Sequence, residues 1–190
     1  MRREGLWLIA PDRSWRHSAS RLPKLLEIIE LSGSLVTIDA MGCQTEIAEK
    51  ILAAASDDWL AVKGHQPRLH QGILKFFDDH LDGDFAQVNV RRHETKEKGH
   101  GREKTRHYFV CPVPNDLPDR ARWSGLQALG IVISSTQRGG TDCGDVRYHI
   151  LSQYLAGKRF AAAVRGHWAI ENRLHWQLDV TFQEDPCRLR

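Results

Sequence analysis

Residues 35–39 read Leu35-Val36-Thr37-Ile38-Asp39, and this stretch decides the fold class. Four apolar or β-branched residues closed by an acid read as a short buried strand with a carboxylate at its carboxyl end. Upstream, Leu22, Leu25, Leu26 and Ile29 recur at i, i+3, i+4 and i+7 and predict a helix over 22–31. Ser20 is its candidate N-cap, Pro23 falls in the first turn and Ser32-Gly33 is the stop. Downstream, Ile47, Ala48, Ile51, Leu52 and Ala55 keep a helical rhythm, and Trp59-Leu60-Ala61-Val62-Lys63 reads as a second strand ended by Gly64. Pro67 opens a third helix whose inner face is Leu69, Ile73, Phe76 and Phe77. Helix, strand, helix, strand, helix across 22–82 predicts an α/β sheet with parallel strands. Sites in such sheets form outside the carboxyl ends of the strands, where Asp39 and Lys63 both fall.

The texture changes after Gly83. Val88–Val90 and His107–Val110 read as strands around a charged hairpin. Ile131–Ser135 and Val146–Leu151 read as two more, joined through Gly139-Gly140, so 83–151 is expected to be mostly antiparallel β. Helix returns from about Ser152 to Asp179. Residues 1–20 read poorly, with a possible strand at Leu6–Ala10.

A chain of 190 residues with 41% hydrophobic and 27% charged residues carries enough apolar surface for one domain, or for one domain with an insertion. The longest apolar runs, Leu6–Ala10 and Phe160–Val164, fall far short of the roughly 20 residues a membrane span needs. No basic start with an apolar region reads as a signal peptide, so the cytoplasm is the expected compartment and no membrane partner is expected. A net charge of +3 argues against a histone-like protein and permits a local basic patch. Cys43, Cys111, Cys143 and Cys187 form no CxxC pair, which argues against a zinc ribbon and fits free thiols in a reducing compartment.

Three features could carry chemistry. Asp39 is one, although an acid after a strand also serves as a turn or N-cap residue. The second is the helix from Arg165 to Asp179, where Ile170, Leu174 and Leu178 form an apolar stripe and His167, Glu171, His175 and Asp179 form a second row at the same spacing. That row fits simple i, i+4 pairing, or a transition-metal site through His167, Glu171 and His175. Trp168 and Trp176 lie on a third line, suited to the core or to stacking on a flipped base. The third is the stretch Arg91–Arg106, with seven Lys or Arg against three Glu. Its charge of +4 exceeds that of the whole chain, which fits a solvated hairpin or one lying along a phosphate backbone. A carboxylate after a central strand and another on a late helix can converge at one sheet edge. Carboxylates held close bind Mg²⁺, and two such ions clamp both oxygens of an in-line phosphoryl displacement.

Four segments together resemble insertion-sequence transposases of the H-repeat-associated, ISAs-type family. They are Leu35–Gln44, Ala61–Pro67 (with His65 where the family has Asn), Glu97–Arg102, and Arg165–Asp179 continuing through Val180-Thr181-Phe182 to Glu184-Asp185. They occur in order across about 22–186. The resemblance implies an RNase H-like core, divided between 21–82 and 152–186, with a β-rich insertion at 83–151 before the last catalytic helix. It implies a DDE transposase, in which two Asp and one Glu hold Mg²⁺ or Mn²⁺ for cleavage and strand transfer on DNA. Asp39 matches the second Asp and Glu171 the Glu, so both are expected as catalytic and metal-holding residues. Lys63, His100, Arg102 and Arg165 fall in matched segments and are expected to contact DNA phosphates. The expected partners are transposon ends and target DNA, with a homo-oligomer in a synaptic complex.

The family's first Asp sits on an early strand followed by a hairpin, and residues 1–20 hold no good copy of that segment. Asp12 is the candidate for the first acid. The core is therefore expected to be incomplete at its amino end and the chain a truncated, catalytically impaired copy. The alternative is a non-catalytic DNA-binding remnant.

Overall fold

The computed structural model describes residues 15–99, 102–138 and 141–170, with side chains described for 22–99, 103–137 and 143–169. The elements in chain order are α1 (Trp15–Ile28), β1 (Leu35–Ile38), α2 (Thr45–Ala53), β2 (Asp57–Val62), α3 (Pro67–Leu81), β3 (Arg91–Gly99), β4 (Arg102–Pro112), β5 (Ala128–Arg138), β6 (Thr141–Leu151) and α4 (Gly157–Ile170). A 3-10 turn at Arg120–Arg122 lies between β4 and β5.

The strands form one curled six-stranded sheet in the order β1-β2-β6-β5-β4-β3. β1 and β2 are parallel, from Leu35 opposite Asp57 to Ile38 opposite Leu60. The other pairings are antiparallel. β2 pairs with β6, Trp59 opposite Leu151 and Ala61 opposite His149, so the strands of 83–151 continue the sheet that β1 and β2 begin.

Side chains alternate across the sheet and both faces are covered. Val36, Ile38, Leu60, Val62, Leu129, Ile131 and Ile150 turn to one face and pack with Leu22 and Leu26 of α1, Ile47 and Ile51 of α2, and Leu69, Ile73 and Phe77 of α3. Leu35, Trp59, Tyr108, Val110, Val132 and Leu151 turn to the other and pack with Phe160, Ala161, Ala163 and Val164 of α4. The result is a mixed α/β protein in three layers. Double coverage explains why β1 shows no alternation of buried and exposed residues: all four are buried, Thr37 included.

A polar clamp ties β2 to the chain just after β6, and a close approach seats α4 on the sheet. At the amino end of β2 the Asp58 N–H donates to Ser152 Oγ at 2.7 Å, and the Ser152 N–H donates to Asp58 Oδ1 at 3.1 Å. Asp58 is buried, and that burial pushes its carboxyl pKa up to about 7 against the pull of the Ser152 N–H, with Asp57 adding to the rise. On the α4 side Gly130 leaves room for an aromatic ring: a Cβ there would lie 2.7 Å from Phe160 Cζ.

Several boundaries differ from the sequence reading. α1 starts at Trp15, so Pro23 lies inside the helix rather than in its first turn and removes one backbone donor there. Val88–Val90 is not a strand. β3 is the charged segment Arg91–Gly99 itself, paired residue for residue with β4 from Arg91 opposite Val110 to Gly99 opposite Arg102. β5 and β6 each run 11 residues, well past their apolar centres.

Candidate active site: the cleft beyond β1 and β2

Asp39 follows β1 directly. Its Oδ1 accepts the Gly42 N–H at 3.2 Å, and the same N–H lies 3.2 Å from the Asp39 carbonyl, which closes a tight turn. A Cβ on Gly42 would collide with Ile38 Cγ2 and lie 3.2 Å from Leu22 Cδ2, so this turn folds back on β1 only with glycine there. The loop after β2 is tied to it, because Gln66 Nε2 donates to the Cys43 carbonyl at 3.0 Å. Two of the segments singled out in the sequence, 35–44 and 61–67, thus form one edge.

Between that edge, β6 and α4 lies a cleft of about 770 Å³, whose lining includes Asp39, Lys63, His65, His70, Arg147 and Trp168. Its deep wall is a buried layer of rings. Thr37 Oγ1 and His167 Nδ1 are hydrogen-bonded at 3.0 Å, joining β1 to α4. The His167 ring lies 5.1 Å from Trp59, Trp59 stacks on His149 at 4.4 Å, and Phe160 meets His149 edge-on at 5.6 Å. Burial holds the His167 pKa down to about 4, with Arg147 adding to the effect. Burial also lowers His149 well below the usual imidazole range, helped by His167 and Arg147. Both rings are therefore neutral at pH 7. Neither His149 nitrogen has a hydrogen-bond partner among the described residues.

Cations gather around Trp168 at the rim of the cleft. Arg147 pairs with Asp145 at 2.8 Å, and its guanidinium lies 4.7 Å from the centre of the Trp168 ring. Arg106 and Lys104 stand 5.3 and 5.9 Å from the same ring. Glu97 on β3 accepts from Arg106 at 2.9 Å and pairs with Arg165 of α4, which pins the helix to the charged strands.

The structure places Asp39 and Lys63 in one cleft. Arg165, expected on DNA, makes the Glu97 ion pair. Arg102 occupies the first position of β4, opposite Gly99, and its side chain is outside the described residues. Asp12, His100 and Glu171 lie outside the described residues, as do His175, Trp176 and Asp179. Of the titratable row, His167 points into the protein interior; of the tryptophan line, Trp168 stands at the cleft. Sequence reading missed Thr37, His149 and Arg147. The signal was available for His149: counting back by two from buried Leu151 places it on the α4 face.

Among the described residues no group of three or more His, Cys, Asp or Glu is placed to hold a metal ion. Asp39 offers a hard oxygen donor of the kind Mg²⁺ and Mn²⁺ take. Among the described residues no helix is long and apolar enough to cross a membrane.

Over 178 residues the chain is 39% identical to "H repeat-associated putative transposase YhhI" of Escherichia coli (strain K12), across 89% of this chain and 45% of that protein. The chain is a homologue of H repeat-associated putative transposases. Similarity at the same 39% extends to "Putative protein YbfL" of Escherichia coli (strain K12), across 89% of this chain and 45% of that protein. It extends also to "Putative transposase YncI" of Escherichia coli O157:H7, 39% identical across 89% of this chain and 44% of the relative. The chain thus spans a little under half the length of these relatives. No protein-family model matches. Among solved structures, a S-adenosylmethionine-dependent methyltransferase from Clostridium acetobutylicum ATCC 824 is similar at 7% identity and a TM-score of 0.18, over 85% of this chain and 62% of that one. A likeness of that size carries no argument about fold or activity.

Proposed function

We propose that this chain acts on DNA as a DDE-type transposase, on an RNase H-like core, by metal-dependent phosphodiester cleavage and strand transfer. The observation that supports this best is the position of Asp39. It stands at the carboxyl end of a strand, in a cleft that Lys63 and Arg147 also line, inside a segment that resembles the family's.

Asp39 and Glu171 are the proposed metal-holding residues, with Asp12 as the candidate for the first acid. In the sequence Glu171 follows His167 by four residues, the next position on the helical spacing of Phe160, Val164 and His167. Mg²⁺ or Mn²⁺, when bound, supplies Lewis-acid activation of water and then of a DNA 3′-hydroxyl. The Gly42 N–H fixes one Asp39 oxygen. Lys63 at the cleft edge attracts the phosphate backbone, as His100 and Arg102 of the matched hairpin segment are proposed to do. The neutral His167 joins α4 to β1 through Thr37 without adding charge beneath the acid. Assembly of two or more copies on paired element ends belongs to the same proposal.

The test is Mg²⁺- or Mn²⁺-dependent nicking of DNA carrying the element's ends, with Asp39→Ala, Glu171→Ala and Asp12→Ala compared on samples checked by circular dichroism. Cleavage lost in all three variants supports a working triad that includes Asp12. Cleavage lost in the first two alone keeps the reading and removes Asp12 from it. Folded wild-type protein that binds but never cleaves leaves the non-catalytic DNA-binding alternative.

A further inference from the structure

The cation cluster around Trp168 is built in a way that its ion pairs do not explain. Lys104 and Arg106 alternate along β4 with Tyr108, and Arg147 alternates along β6 with His149, so all three cations stand on the face that α4 covers. They converge on one indole, Trp168, at 5.9, 5.3 and 4.7 Å from its centre. An aromatic face holds cations in place by its quadrupole without neutralising them. Among the described residues the carboxylates paired with this group are Glu97, shared by Arg106 and Arg165, and Asp145, on Arg147. Among the described residues, four cations against two carboxylates leave a local excess of two positive charges.

Two observations among the described residues agree with that excess. Burial lowers the Lys104 pKa, and the charges of Arg106 and Arg147 lower it further against the opposing pull of Asp145 and Glu97. The buried Arg106 keeps its Nε without a hydrogen-bond partner among the described residues. Like charges crowded on one plate with a donor left over are the arrangement that a polyanion completes.

We propose that Lys104, Arg106 and Arg147, held over Trp168, form a phosphate seat for a DNA strand running from the β4–β6 surface into the Asp39 cleft. The seat rests on the reading of this chain as a DNA-acting protein and adds to it a strand path. Arg147 and Trp168 line the same cleft as Asp39, so a backbone seated there leads to the acid. Trp168 is the positioning residue, and the three cations make the contacts.

The test is binding of fluorescently labelled DNA to the full chain across a salt series, with metal chelated so that cutting plays no part. Each phosphate contact contributes about 0.9 to the slope of log affinity against log salt on duplex DNA. The double variant Lys104→Gln with Arg147→Gln is expected to lower that slope by about two such units and to weaken binding at least tenfold at low salt. Lys75→Gln on α3, which removes one exposed charge from an i, i+4 pair away from the cleft, is the control and is expected to stay within about twofold. Trp168→Ala is expected to lower the slope as well, Trp168→Phe to restore it, and Arg147→Lys to retain it, each with a native circular dichroism spectrum. If wild-type protein binds DNA and the double variant matches the control, the seat is overturned while the DNA reading stands. If wild-type protein binds no DNA at any salt, both fall. A binding loss in Trp168→Ala with an unchanged slope overturns the positioning role.

Discussion

Replacing Asp58 by Asn should turn a shallow dependence of this protein's stability on pH between 4 and 7 into a steep one. Asp58 is buried with a pKa of about 7, against 3.8 for an ordinary aspartate. Within that window the folded state holds a proton that the unfolded chain has lost, so stability falls as pH rises. A gap of about 3 units corresponds to about 4 kcal/mol across the window. His167 works in the opposite sense. Its pKa is about 4 when folded and 6.5 when unfolded, so the unfolded chain takes up the extra proton and stability falls as pH drops from 6.5. That contribution is about 3 kcal/mol, and His149 pulls in the same direction. The two effects oppose each other in the wild-type protein, whose profile should be shallow. Asp58→Asn keeps an oxygen for the Ser152 N–H and removes the titration. Its new amide N–H₂ adds a roughly constant cost of about 1–2 kcal/mol. The assay is urea unfolding at half-unit steps from pH 4 to 7.5. The variant's stability relative to wild type should rise by about 4 kcal/mol from pH 4 to 7.5, and the variant alone should lose stability steadily toward acid. A difference constant to within about 1 kcal/mol would refute the assignment of a raised Asp58 pKa.

Other perturbations read separate parts of the structure. Thr37→Val removes the hydroxyl bonded to His167 and should cost about 1–2 kcal/mol in urea unfolding, while Thr37→Ser keeps the bond. Gly130→Ala places a methyl against the Phe160 ring and should cost about 1–3 kcal/mol, with part recovered in the double variant with Phe160→Leu. Among the described cysteines, iodoacetamide at pH 8 should label exposed Cys143 in native protein, read by peptide mass mapping. Burial pushes the Cys111 thiol up to about 12, and burial with Asp58 and Asp39 pushes Cys43 higher, so both should label only on unfolding.

What the sequence revealed follows from how many faces each element buries. β1 and β2 are covered on both sides, so their apolar runs were visible directly, and α3 announced itself through Pro67 and the Leu69, Ile73, Phe76, Phe77 stripe. β3 was misjudged because its residues are exposed or half-buried throughout and carry alternating Lys and Glu instead of an apolar period. The start of α1 was missed because Pro23 reads as a helix opener, whereas here it sits eight residues inside. At the site, Asp39 and Lys63 were legible from their place after the two strands. The stacking of His149 on Trp59 and the three-cation plate were not, because they arise only through the pairing of β6 with β2 and of β5 with its two neighbours, contacts that no local period encodes.

The seam between β2 and β6 also sets a timetable for the newly made chain. Asp57–Val62 leaves the ribosome long before Thr141–Leu151, its antiparallel partner, has been translated. At roughly 5–20 residues per second, the intervening stretch takes about 5–20 s to synthesise. Throughout that interval one flank of β2 presents unpaired amides and carbonyls, and Trp59 lacks the imidazole it will stack on. The first half of the molecule must therefore wait, unfinished, on the second. A pause in translation between these strands would prolong the period in which the half-made sheet can capture a strand from a neighbouring nascent chain.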